Sequence, residues 1–408
     1  MKGGRLVLDA VDRALVEYLR AQRDSLIGLC QRLLQTPSVN GVHDEAAIAA
    51  VIRDAAAALG LHTQMSALNP RRPNVIVSTA PEGETGLLLV GHTDTVPAGD
   101  EAAWTYPPFS GTLAEGRIYG RGAVDTKGGM AAALWALAAL KAVPGALAAG
   151  RAQFIGVPDE ETGATGTLGI RHLQAEGLLN GRGAIYTYSG RTIYIGHRGL
   201  IRYRITCHGE AAHTGGDEWQ AGTRGANAVT AMAALLLRLE AQSFPSSTHA
   251  YFDVYRTLIT PGTVISGGVS VNIVPDSCEA LVDVRTTPEM DLAQVEPAVQ
   301  THLDAVSAER RGIRFRLERI NHLPAALSPA DAPIFAALHE VTAALTGVTP
   351  PLAVAGPANE GYLLVAAGIP TVCGFGPLGD QFHSVNEYVE ADSLVEAAAL
   401  YALTARRL

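Results

Sequence analysis

The chain has 408 residues, too many for one ordinary core, and a composition (48% hydrophobic, 17% charged) that is neither disordered nor fibrous. Its net charge of −9 and pI near 5.7, without any run of Lys or Arg, exclude nucleic acid and an anionic membrane surface as main partners and point to a small molecule. The cysteines Cys30, Cys207, Cys278 and Cys373 form no CxxC pair, the amino-terminal stretch is broken by charge, and no apolar run is long enough to span a bilayer, so the expectation is a cytoplasmic protein with reduced thiols.

In chain order, apolar residues at helical spacing predict one long helix or two short ones from about Leu8 to Leu34, and a further helix from about Asp44 to Leu59 that stops at Gly60. Strands follow near His62 to Ala67 and Asn74 to Ser78. The stretch Leu87 to Pro97, LLLVGHTDTVP, reads as a buried strand that turns out at Gly91 with His92 and Asp94 at its carboxyl end, where ligands collect in open α/β sheets. Positions two apart in an extended segment point the same way, so a metal-binding His92 could be oriented by the Asp94 carboxylate; a strand-end turn with a buried His and a capping Asp is the other reading. A glycine cluster around Asp125 then gives way to a helix beginning near Lys127. The strand AQFIGV at residues 152–157 runs into PDEETG, which places Glu160 and Glu161 at another strand end, and two further strands are expected around Ala184 to Tyr188 and Thr192 to Ile195.

Residues 200–320 have a different rhythm. The pattern predicts a strand at Ile201 to Cys207, a helix at Ala226 to Leu239, strands near Thr263 to Ile273 and Glu279 to Arg285, a helix at Leu292 to Val306 and a strand at Ile313 to Leu317. This βαββαβ order is that of a small ferredoxin-like domain. From Ala330 the chain returns to helix and apolar strand and ends in a helix from Asp392. The predicted fold is therefore α/β, with a discontinuous catalytic domain (residues 1–198 and 322–408) into which a ferredoxin-like unit (residues 199–321) is inserted.

His92, Asp94, Asp125, Glu160, Glu161 and His383 each lie near a Gly or Pro, and most follow an apolar strand, so loops at one sheet edge could gather them. Two imidazoles with several carboxylates suit zinc or another first-row divalent ion, because magnesium and calcium normally take oxygen ligands alone. Of the adjacent Glu160 and Glu161, one serves as a ligand and the other as a general base.

The succession GHTDTVP, GRGAVDTKGG, DEETG, GEAAHTG and HSVNEYV, spread over nearly the whole chain, resembles the metal-dependent aminoacylase/carboxypeptidase family. That family includes acetylornithine deacetylase, succinyl-diaminopimelate desuccinylase and glutamate carboxypeptidase. The resemblance implies a zinc-peptidase-like catalytic domain whose ferredoxin-like insertion acts as a lid and dimerisation element. It implies that His92 binds one metal, that Asp125 bridges two, that Glu161 and His383 bind the other, and that Glu160 is the general base, with Asp94 orienting His92. A cis peptide after Asp125 is expected on the same ground. His213 resembles the residue that reaches the site of a second subunit in a homodimer to steady the oxyanion, and Asn272 and Arg285 resemble the groups that hold the substrate carboxylate. Two positions depart from the pattern: IYTYSG offers Tyr188 where the family has an acidic ligand, and PANEGYLL offers Asn359 where an Asp is frequent. A phenol is a poorer ligand than a carboxylate at neutral pH, so one tight zinc and a second, weaker ion are expected, with cobalt or manganese able to substitute. The implied activity is removal of the acyl group from an N-acyl amino acid. A metallo-dipeptidase or carboxypeptidase is the alternative within the same chemistry, and a non-catalytic binder of amino-acid derivatives with a degraded metal site is the alternative outside it.

Overall fold

The computed structural model describes residues 6–147 and 150–408; the first five residues of the charge-broken amino-terminal stretch lie outside the described residues. The chain divides into two compact units. One comprises residues 1–197, 327–355 and 359–408, and the other comprises Arg198–Ala326 with Gly356–Ala358.

The first unit is built on a six-stranded sheet in the order His62–Ser66, Asn74–Ser78, Arg151–Val157, Thr85–His92, Gly183–Tyr186, Thr371–Val372. The first two strands run antiparallel to their neighbours and the last four run parallel to one another. Every residue of Thr85–His92 is buried, which is why its sequence is a continuous apolar run and lacks the alternation of a half-exposed strand. The amino-terminal apolar stretch forms two helices, Ala10–Ala21 and Arg23–Leu34, and the first is closed by an Asp9–Asp12 capping box. The helix Gly128–Ala142 is buried from Gly128 to Leu140 and is correspondingly apolar on every side. It packs directly on a strand end, because a Cβ at Gly129 would collide with the carbonyl oxygen of Thr187. That approach fixes where the preceding segment, which carries Asp125, must lie.

In the second unit four strands pair antiparallel in the order Leu258–Gly267, Ser277–Thr286, Gly199–His208, Arg314–Leu323. The helices Ala228–Ala241 and Leu292–Glu309 cover one face. The alternating Ile201, Tyr203, Ile205 and Cys207 meet Met232, Leu235, Val299 and Leu303 in a separate core. Each fully buried aliphatic side chain there contributes about 1.5–3 kcal/mol relative to exposure.

Two strands differ from expectation. The strand predicted at Thr263 to Ile273 occupies Leu258–Gly267, because Gly268 adopts a positive φ of 77° and ends it. Val269 and Val271, whose alternation had suggested a strand, are exposed. The last strand extends to Leu323, well beyond the predicted Leu317, because an edge strand with few buried residues reads as a polar stretch. Among the described residues no helix is long and apolar enough to cross a membrane.

Candidate metal centre and active site

Three neighbouring parallel strands deliver the centre of the site from their carboxyl ends. His92 is the last residue of its strand, Glu160 and Glu161 follow the strand that ends at Val157, and Tyr188 follows the strand that ends at Tyr186. Asp125 comes from the turn Ala123–Lys127 ahead of the buried helix, and its bond to Thr126 is cis. His383 stands in the loop between the short strands Gly379–Asp380 and Tyr388–Glu390, at a φ of 56°.

These side chains converge on Asp125. His92 Nε2 lies 2.8 Å from one carboxylate oxygen and His383 Nε2 lies 3.2 Å from the other, while His383 Nε2 is also 3.4 Å from Glu161 Oε1. Two donor sets have one atom from each member within 4.8 Å of the others: His92 with Glu160 and Glu161, and Asp125 with Glu161 and His383. Ligand atoms about 2.1 Å from a tetrahedral zinc are about 3.4 Å apart, and the 3.2 and 3.4 Å separations around His383 are close to that spacing. Asp125 thus faces an imidazole on each of its carboxylate oxygens.

The electrostatics agree with a site built for positive charge. Burial opposes a charge on Asp125, yet hydrogen bonds from His383 and His92 hold its carboxyl far below the usual range. The same carboxylate and Glu161 raise His383 to about 10. Loss of hydration pushes Glu160 up to about 8; His92 opposes the shift, and the charges of Glu161, Asp125 and Asp94 add to it. Glu160 is thus held where burial and neighbouring negative charge favour its neutral form.

Asp94 does more than its spacing suggested. His92 Nδ1 lies 2.9 Å from the main-chain oxygen of Asp94 and 3.5 Å from its carboxylate, so the nearer partner of the ring is the backbone carbonyl. The carboxylate accepts the amide N–H groups of Glu160 (3.3 Å) and Glu161 (3.1 Å) and the side-chain amide of Asn40, clamping the two ligand loops together. Asn40 escaped the sequence reading, since one Asn in a loop carries no pattern. Glu387 also escaped it, although it lies within HSVNEYV. This buried carboxylate accepts the amide N–H groups of Gly122, Val124 and Asp125 at 3.0–3.2 Å and pairs with buried Arg121 at 2.7 Å. The loop that supplies His383 therefore also anchors the turn that supplies Asp125.

The two departures have distinct outcomes. The Tyr188 hydroxyl donates to Glu160 Oε1 at 3.0 Å, and burial together with Glu160 pushes its pKa well above that of an ordinary phenol, so it is placed as a neutral donor to Glu160. Asn359 spends its side chain inside the fold, donating to the Cys373 carbonyl at 2.7 Å and accepting the Gly361 amide at 2.8 Å. The next residue, Glu360, is fully buried and accepts the Tyr186 hydroxyl at 3.1 Å.

His213, Asn272 and Arg285 all belong to the second unit. His213 and Ile273 form a bridge, and the Thr214 amide donates to the Asn272 carbonyl at 3.0 Å, so two motifs far apart in sequence are adjacent. The Gly215 amide donates to His213 Nδ1 at 3.1 Å, which leaves the proton of the neutral ring on Nε2. Arg285 pairs with Asp283 at 2.8 Å.

An α/β fold with carboxylates and imidazoles gathered at the ends of parallel strands fits a metal-dependent hydrolase of amide or peptide bonds. Residues 88–407 match the model of peptidase family M20/M25/M40, and the chain belongs to that family. It is 30% identical over 388 residues to a succinyl-diaminopimelate desuccinylase of Methylorubrum extorquens, an alignment that covers 92% of this chain and 97% of that relative. In fold it resembles human carnosine dipeptidase 1, with a TM-score of 0.77 and 16% identity over 98% of this chain and 99% of that one. It also resembles the dinuclear metal-binding M20 peptidase YxeP of Bacillus subtilis, with a TM-score of 0.69 and 18% identity over 95% and 98%.

Proposed function

We propose that the protein is a zinc-dependent amidohydrolase that removes the acyl group from an N-acyl amino acid. The observation that carries this reading is the Asp125–Glu161–His383 donor set beside Glu160, whose carboxyl is raised to about 8. The relationship to a desuccinylase over 92% of the chain favours an acyl group on an amino-acid amine over an internal peptide bond. Asp125, Glu161 and His383 hold one tight zinc, His92 contributes to a second and weaker position, and cobalt or manganese replaces zinc in either.

A divalent ion held there supplies Lewis-acid polarisation of the scissile carbonyl and a water activated at neutral pH. The Glu160 carboxylate takes the proton of the attacking water and passes it to the leaving amine nitrogen. Asp94 keeps the Glu160 and Glu161 amides and the His92 ring in register. Arg285 and Asn272 receive the substrate carboxylate, a task that suits the guanidinium fork.

Residues 199–321, which fall within the second unit, act as the ferredoxin-like lid and dimerisation domain. In a homodimer His213 of one copy donates its Nε2 proton to the oxyanion formed in the site of the other. Support for self-association comes from the strand Leu258–Gly267, which forms an edge of its sheet with Val264 and Ile265 exposed, a surface suited to strand pairing. Four buried free thiols fit a reducing, cytoplasmic setting.

The test is a panel of N-acetyl, N-succinyl and N-formyl amino acids and dipeptides, each assayed with zinc, cobalt and manganese. Faster turnover of an N-acyl amino acid than of any dipeptide is the expected result. The reverse order makes the enzyme a dipeptidase, and no turnover of any compound refutes an enzymatic role.

A further inference from the structure

Tyr188 occupies a defined place. Its ring stacks on Tyr186 with centroids 4.9 Å apart and planes inclined by 22°, and it lies 5.8 Å from the His92 ring. Tyr186 is itself fixed, fully buried with its hydroxyl on the buried carboxyl of Glu360. The backbone is held as firmly: the Phe375 amide donates to the Tyr186 carbonyl at 3.1 Å, and a Cβ at Gly376 would collide with the Tyr188 carbonyl oxygen. Only the hydroxyl is left to act, and it is aimed at Glu160 Oε1.

Glu160 has two courses open to it. It can serve as the base, or it can join His92 and Glu161 as the third member of the alternative donor set. We propose that Tyr188 is a positioning residue that holds Glu160 in the first role, its hydroxyl securing Oε1 so that the other oxygen faces the water and the carboxylate stays out of metal coordination. This inference rests on the reading of Glu160 as the base. It means that the phenol does not replace the missing acidic ligand; it restrains a neighbouring carboxylate that could.

Tyr188→Phe preserves the ring stack and removes only the hydroxyl, so the variant should fold as the parent does. With the fastest substrate of the panel, kcat should fall by at least about tenfold while KM stays within about twofold, the signature of an interaction used in the chemical step and not in binding. In the Glu160→Gln background the same change should cost nothing further, because the hydroxyl acts through that carboxylate. Metal titration of the stripped proteins provides a readout without turnover: Tyr188→Phe should retain its first zinc equivalent and bind the second at least as tightly as the parent. Loss of either equivalent would make the phenol a ligand and overturn the proposal, as would an unchanged kcat or an additive loss in the double variant. If the parent hydrolyses no amide at all, the functional reading fails, while the titration still decides whether the hydroxyl opposes or assists metal binding.

Discussion

The two sides of Asp125 are built differently. On one side His92 is fully buried, ends a central strand, is fixed through Nδ1 by a backbone carbonyl and lies against the Tyr188 ring. On the other, the His383 side chain is 53% exposed and comes from a loop at positive φ, with Glu161 and Asp125 completing a donor set. On the buried side Tyr188 stands where a carboxylate was expected, and the open side brings two carboxylates and an imidazole together. A catalytic ion needs three protein ligands and room for water and substrate, so the open side should carry the chemistry and the buried side should act as a scaffold for Asp125.

That contrast can be tested from the largest effect downward. Glu160→Gln should lower kcat by about 10²–10⁴-fold with metal content unchanged, whereas Glu161→Ala should lose metal and turnover together; elemental analysis beside the assay separates them. Next, His383→Ala should lose the tightly held ion, while His92→Ala should keep it and retain measurable turnover. Equal metal loss in the two histidine variants would erase the distinction between the sides. His213→Ala should lower kcat by about 10²–10³-fold with metal unchanged, and mixing it with Glu160→Gln should restore activity, since one site of each mixed dimer regains both groups. Mixed dimers that form and remain inactive would rule out the cross-subunit role. Glu387→Ala leaves Arg121 buried without its partner and should destabilise the fold by about 3–5 kcal/mol in denaturant unfolding. Smallest, Asn40→Ala removes one donor from the buried Asp94 carboxylate and should cost about 1–3 kcal/mol in the same measurement, with little effect on the tight ion.

What could be read in the sequence was whatever depends on local order. Apolar runs that end in Gly or Pro located the strand ends, and with them His92, Glu160 and Glu161, because buried parallel strands must be apolar and their functional residues must follow them. Asn74–Ser78 was read to the residue, whereas Leu258–Gly267 was displaced, since the alternation of Val269, Val271 and Ile273 imitates a strand although these residues are exposed. Groups that act through distant backbone were invisible. Glu387 holds three amide N–H groups more than 260 positions earlier in the chain, and Asn359 spends its side chain on the Cys373 carbonyl and the Gly361 amide. Tyr188 was singled out as an uncertain ligand position, but the direction of its hydroxyl, towards Glu160, depends on the stack with Tyr186 and on the glycine passing behind it.

The most direct test of the unequal sides is elemental analysis of the natural protein after exhaustive dialysis. One metal ion per chain, with a second appearing only under excess metal and becoming tight in Tyr188→Glu, is the predicted result. Two tightly held ions per chain in the natural protein would contradict it.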